Sequence, residues 1–272
     1  GDDFWREFHA RVRAANPEAY LLGEVWHHKP EWLQGDMFDA FMNYPLTLGV
    51  LGFAGQGRLA TDAELPHEYE GDFRVFDGGA LWARIRELDE LNDPAVTAVQ
   101  LNLLGSHDTP RARTLLGGDL RAVRLAVLLQ MTLPGAPCIY YGDEIGMEGG
   151  MDPLCRAGFP QDPSAWEVEP CGWTADLAAL RHSSRALRDG ELTPFLTEGP
   201  AIAYLRRDDA GAFVVVANAG DESLATELEL PAGAGAAEVV TLRDGRAGSV
   251  DVEGRRLRVG VPAREGIVVR LS

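Results

Sequence analysis

The residues of this 272-residue chain whose types and spacing could do chemistry stand at the ends of short apolar runs. Glu24 follows Tyr20-Leu21-Leu22-Gly23. His107 and Asp108 follow residues 99–104 through Gly105-Ser106. Asp143 and Glu144 follow residues 138–141, and Asp152 and Arg156 stand four apart just beyond them. A carboxylate at the end of such a run is held by rigid backbone beside a crevice, where partial desolvation raises its pKa and makes it a proton donor near neutrality. With a second carboxylate, this is equipment for general acid/base cleavage of a glycosidic bond. The plain alternative for Glu24 is a surface Glu at a strand end. Asp143 and Glu144 are adjacent and diverge on extended chain, so they read as structural. His27 and His28 diverge for the same reason, and no metal site is expected there.

The elements that must position these groups alternate. Apolar runs at residues 20–22, 38–42, 99–104 and 138–141 read as strands. Helical patterns occupy 81–91, 120–133 and 177–187, and an N-terminal stripe of Phe4, Trp5, Phe8 and Val12 is capped by Asp2 or Asp3. Strand-helix alternation predicts parallel βα units, and continuous apolar runs predict strands buried on both faces. Four such units are half of a (β/α)8 TIM barrel, whose active site lies at the strands' C-terminal ends. From about residue 190 short alternating runs take over at 201–205, 213–217, 224–230, 239–242, 257–261 and 267–271, the pattern of an antiparallel sandwich. The fold class is therefore α/β: a half-barrel domain over residues 1–189, then an all-β sandwich domain over 190–272. The Ala/Gly-rich residues 231–237 read as a surface loop.

Composition excludes several functions. Hydrophobic residues are 46 % and charged residues 25 %, the balance of a soluble globular protein, and no run is long enough for a membrane span. Asp and Glu number 42 against 25 Lys and Arg, a net charge of −17, so neither nucleic acid nor an anionic membrane is an expected partner. Three cysteines, Cys138, Cys155 and Cys171, form no CxxC pair and suit a reducing, cytoplasmic setting.

Four segments together resemble the α-amylase superfamily of glycoside hydrolases, in its neopullulanase, cyclomaltodextrinase and maltogenic amylase branch. Gly23-Glu24-Val25-Trp26-His27 resembles the strand-five motif, residues 35–45 strand six, Leu103-Leu104-Gly105-Ser106-His107-Asp108-Thr109 strand seven, and residues 137–147 strand eight. The resemblance implies that Glu24 is the general acid/base, that Asp108 stabilises the transition state, and that His107 hydrogen-bonds the reacting sugar. It implies that Trp26 and His27 hold sugar on the leaving-group side, Trp26 by stacking, although Trp26 could equally pack beneath a loop. Asp152 and Arg156 would bind the sugar on the non-reducing side, with a surface ion pair as the alternative; Met151 stands where the family usually has Asn.

The resemblance also implies a nucleophilic Asp on strand four, after an Arg. No such motif is present, and Asp2 and Asp3 sit at a helix start rather than after a strand. The chain is thus expected to be the C-terminal part of an enzyme acting on α-glucan or maltooligosaccharide. Alone it should be inactive, a carbohydrate-binding or complementation half that self-associates or pairs with the missing N-terminal half. No cofactor is expected, since the family's calcium sites would lie mostly in that half. The acidic, aromatic residues 64–77 form a long loop, either near the sugar cleft or a solvated face.

Overall fold

A computed structural model describes residues 1–231, 237–240 and 248–271. Its first part runs α1 (Asp2–Ala15), β1 (Leu22–Gly23), β2 (Ala40–Phe41), α2 (Tyr44–Ala54), α3 (Gly78–Leu91), α4 (Pro94–Val99), β3 (Leu101–Leu103), α5 (Ala112–Leu115), α6 (Leu120–Thr132), β4 (Ala136–Cys138), α7 (Val168–Ser183) and α8 (Arg185–Asp189). β1 pairs parallel with β2, and β3 with β4. A parallel bridge between Met42 and Leu101 joins the pairs into one four-stranded parallel arc.

Three local expectations need correction. α1 is capped by Gly1 rather than by Asp2 or Asp3; both carboxylates lie in its first turn, where they favour the positive end of the helix dipole. The fourth strand is residues 136–138 rather than 138–141, because Tyr140 and Tyr141 turn out of the sheet to lay their rings over the Arg111 guanidinium. The pattern at 177–187 belongs to two helices. Ser184 ends α7 and caps α8, its hydroxyl accepting from Leu187 N at 3.2 Å.

The second part comprises β5 (Glu191–Leu196), β6 (Ala201–Arg207), β7 (Ala212–Asn218), β8 (Leu224–Glu229), β9 (Ala237–Val239), β10 (Ser249–Glu253), β11 (Arg256–Val261) and β12 (Glu265–Leu271). They form antiparallel sheets in the orders β5-β6-β7-β12-β9 and β10-β11-β8. Strands β5 and β10 were not among the expected runs. Apart from its ends, the 231–237 loop lies outside the described residues, as do positions 241 and 242 of the run expected at 239–242.

The three adjacent strands β6, β7 and β12 of the five-stranded sheet are buried on both faces, so they read as continuous rather than alternating. Ile202, Tyr204, Phe213, Val215 and Val268 join the helical core, while Ala203, Leu205, Val214, Val216 and Val269 join the core between the sheets. Gly266 lets α6 seat on β12, since a Cβ there would stand 2.2 Å from the Leu128 side chain. The C-terminal end of α6 meets two buried guanidiniums. Arg181 donates to the carbonyls of Met131 (2.9 Å) and Leu133 (3.1 Å), and Arg206 to that of Thr132 (2.5 Å), satisfying orphan carbonyls at the negative end of the helix dipole. Among the described residues no helix is long and apolar enough to cross a membrane.

Candidate active site

Glu24 leaves the C-terminal end of β1. Gly23 before it lies against Phe41 of β2, so closely that a Cβ would meet the ring at 2.8 Å. His107 and Asp108 lie in the turn after β3. There Ser106 N donates to Thr109 Oγ1 (3.0 Å) and Asp108 N to Ser106 Oγ (3.2 Å). Asp152 and Arg156 come from the long loop after β4.

These five side chains converge. His107 Nε2 stands 3.2 Å from Asp108 Oδ2 and 3.9 Å from Glu24 Oε1. Arg156 Nη2 donates to Asp108 Oδ1 at 2.8 Å, and its Nε lies 3.0 Å from both Asp152 Oδ1 and the His107 carbonyl oxygen. Cys155, fully buried, directs its thiol to the same carbonyl at 3.1 Å. One donor atom each from Glu24, His107 and Asp108 falls within 4.8 Å of the others, near enough to share a cation. Arg156 already supplies positive charge to that group. The side chains of Glu24 and Asp108 remain 42 % and 39 % exposed, so the expected crevice is open on one side.

Trp26 and His27 stand outside this hydrogen-bonded group. Trp26 stacks one face on Tyr44, with centroids 3.9 Å apart and planes 8° apart, and meets Tyr69 edge-on at 5.6 Å. His27 is exposed and borders a small crevice with His28 and Asn43. Asp143 and Glu144 diverge: the first faces Arg111 (3.3 Å), while the second accepts from Gly142 N (2.7 Å). Burial pushes the Asp143 carboxyl up to about 7, with Arg111 pulling the other way. In residues 64–77 the side chains of Glu64, Glu68, Glu70, Arg74 and Asp77 are exposed, as a solvated face requires, and the aromatic ones turn inward. Tyr69, Phe73 and Phe76 are buried, Tyr69 behind Trp26, while Glu64 borders a cavity of about 320 Å³ with Asp152 and Leu154.

Two residues of the site were given no role by the sequence. Tyr44, buried, donates to Ser106 Oγ at 3.1 Å and so braces the Asp108 turn and Trp26 together; burial raises its pKa, with the nearby Glu24 and Asp108 charges adding to the shift. Arg111, also buried, ties the loop after β3 to that after β4, through Asp143 and through its backbone N–H to Gly149 O (2.9 Å). Neither Asp2 nor Asp3 reaches the group. Asp2 accepts from the Trp32 indole at 3.2 Å, and Asp3 lies 3.5 Å from Arg6.

Comparison with known proteins gives this geometry a family. Residues 1–187 match the alpha amylase catalytic domain. A cyclomaltodextrinase of Geobacillus thermopakistaniensis (strain MAS1) is 37 % identical over 252 residues, 92 % of this chain and 40 % of its own length. Neopullulanase 2 of Thermoactinomyces vulgaris is 36 % identical over 241 residues, 85 % of this chain and 37 % of its own. The acarbose-soaked debranching enzyme of Nostoc punctiforme superposes with a TM-score of 0.86 at 32 % identity, covering 98 % of this chain and 53 % of that one. This chain thus spans less than half the length of those two curated relatives. Within that span lie the strands, the turn and the loop that bring Glu24, His107, Asp108, Asp152 and Arg156 together, and the chain belongs to the α-amylase family, in the branch of the cyclomaltodextrinases and neopullulanases.

Proposed function

We propose that this chain carries the acid/base side of a retaining α-glucan hydrolase acting on starch-like oligosaccharides or cyclodextrins. The observation that carries the reading is the convergence of Glu24, His107 and Asp108 within 4.8 Å. In the reaction, a strand-four aspartate attacks the anomeric carbon as Glu24 protonates the leaving glycosidic oxygen. Glu24 then takes a proton from the water that releases the covalent glycosyl intermediate. Asp108 and His107 hold the distorted sugar, and Arg156 donates and Asp152 accepts at hydroxyls on the non-reducing side. Trp26, braced by Tyr44, and His27 serve the leaving-group side. No step of this scheme uses a metal; Arg156 supplies one positive charge beside the carboxylates of Asp108 and Asp152. The barrel part spans residues 1–189, and the sandwich, 190–272, is structural. Three free thiols fit a reducing cytoplasm.

A second reading is favoured by the engagement of Asp2 and Asp3 elsewhere: the chain alone is an inactive, complementing half. It is expected to turn over β-cyclodextrin and pullulan at no more than background, and ordinary enzyme rates from it would overturn the need for a further carboxylate. In a protein joining residues 1–272 to a strand-four aspartate, Glu24→Gln is expected to lower kcat by on the order of 10³-fold or more while sparing maltooligosaccharide binding. A substrate with a good leaving group should be partly spared in its first step. Unchanged rates on starch oligosaccharides would refute the acid/base assignment.

A further inference from the structure

A cavity of about 590 Å³ opens along the seam where α3, α8 and β5 meet, and it shares no residue with the Glu24 group. Its size falls in the roughly 300–1,000 Å³ range of small-molecule sites. Three guanidiniums, of Arg86, Arg188 and Arg206, line it against three carboxylates, of Asp89, Asp189 and Glu191, so net charge selects neither an anion nor a cation. Half-buried Trp82 packs against the helical core and also lines the cavity.

Several polar groups here are uncommitted. Among the described residues the carboxylates of Asp89 and Glu191 take part in no ion pair or hydrogen bond. Arg206, fully buried, is committed to Thr132 O and Gly190 O, so the donors a ligand can reach are the exposed Arg86 and Arg188. Donors and acceptors interleaved beside an indole suit a ligand whose groups each donate and accept and whose ring offers an apolar C–H face. That chemistry describes a neutral sugar. A phosphate or carboxylate ligand would need guanidiniums in excess, and an amine would need carboxylates in excess.

We propose that this seam is a second, non-catalytic binding site for a neutral oligosaccharide, with Trp82 as stacking platform and Asp89 and Glu191 as hydroxyl acceptors. The choice of α-glucan as the sugar rests on the proposed function above. The site would hold a glucan chain at the junction of barrel and sandwich without presenting it to Glu24.

The test is calorimetric titration of maltotetraose into the 272-residue chain and its variants. Arg156→Ala, which disables the cleft, is expected to leave one class of site. Adding Trp82→Ala should weaken that class by about tenfold or more, whereas Trp82→Phe, which keeps a ring, should stay within about threefold of its parent. Asp89→Ala with Glu191→Ala, both exposed, should weaken it without disturbing the fold and so guards against misfolding of Trp82→Ala. Loss of all binding on Arg156→Ala alone, or full affinity after Trp82→Ala, would overturn the seam site and leave the cleft reading standing. No maltotetraose binding by the unaltered chain would overturn both.

Discussion

The parallel arc β1–β4 and the five-stranded sheet are built from the same apolar residue types and reach opposite states. In β6, β7 and β12 nearly every residue is buried over strands of seven residues, whereas β1, β3 and β4 are two or three residues long and all three residues of β4 are partly exposed. The expectation that all the arc strands are buried on both faces therefore fails for β1 and β4. The sheet has helices on one face and a second sheet on the other, while β1 and β4 each pair on one side only. Neighbours, not apolarity, set how far a strand extends and how dry it becomes. The candidate catalytic side chains sit at the rim of the half-covered region, which is why Glu24 and Asp108 stay so open.

The largest consequence is association. α1 buries no residue: Phe4 and Phe8 are 61 % and 42 % exposed, although Trp5 rests on Phe38 at 4.9 Å. Tyr20 beside β1 and Ile139 beyond β4 are exposed as well. Unpaired strand edges template pairing. At about 25 cal/mol per Å², covering a few hundred Å² of such surface is worth on the order of ten kcal/mol. Sedimentation velocity at micromolar concentration is expected to show species heavier than the 29.5 kDa monomer, and Phe4→Glu with Phe8→Glu should shift them toward monomer. A clean monomer with cooperative unfolding and no dye-binding apolar surface would break the contrast between the two regions.

A smaller effect sharpens it. Ile202 is fully buried on the face of β6 that meets the helices, and Ile202→Ala should cost about 2–5 kcal/mol, whereas Phe4→Ala should change stability by about 0.5 kcal/mol or less. Urea unfolding at one fixed protein concentration measures both, and equal costs would show that α1 is as firmly packed as the sheet.

How much of this was legible follows the range of the interactions. α3 and α6 announce themselves through apolar spacing, because their burial depends on residues three and four apart. β5 was missed because it is an edge strand carrying Pro194 and a bulge between Pro194 and Leu196. β10 was missed although Ser249-Val250-Asp251-Val252-Glu253 alternates; its short, charged pattern resembles a turn as much as an edge strand. The strand-end motifs named Glu24, His107, Asp108, Asp152 and Arg156, and the structure puts these five side chains within reach of one another. The brace from Tyr44 to Ser106 spans 62 residues and left no local trace. Trp26 shows the same limit. Its motif marked a sugar platform, and only the fold reveals that Tyr44 already covers one of its faces.

The smallest predicted effect lies where the arc meets its loops, at Asp143. Burial raises its carboxyl from the ordinary 3.8 to about 7, against the pull of Arg111. Between those values the folded chain holds a proton that the unfolded chain has released, so the slope of stability with pH from this group is negative. Its contribution is fully present below about pH 4 and is lost as pH rises through about 7. Asp143→Asn is neutral throughout and removes that slope, so the urea midpoint of the unaltered chain minus that of Asp143→Asn should fall between pH 4 and 7.5 and then level off. A difference that stays constant would mean that Arg111 keeps the carboxylate charged throughout. The outcome bears on the site because Asp143 Oδ2 lies 2.9 Å from where a Cβ on Gly105 would stand, at the start of the turn that carries His107 and Asp108. A neutral Asp143 leaves the Arg111 charge without that partner beneath the turn, and an ionised Asp143 offsets it. The protonation of one buried carboxyl in the half-covered region would thus change the local field beneath the candidate catalytic turn.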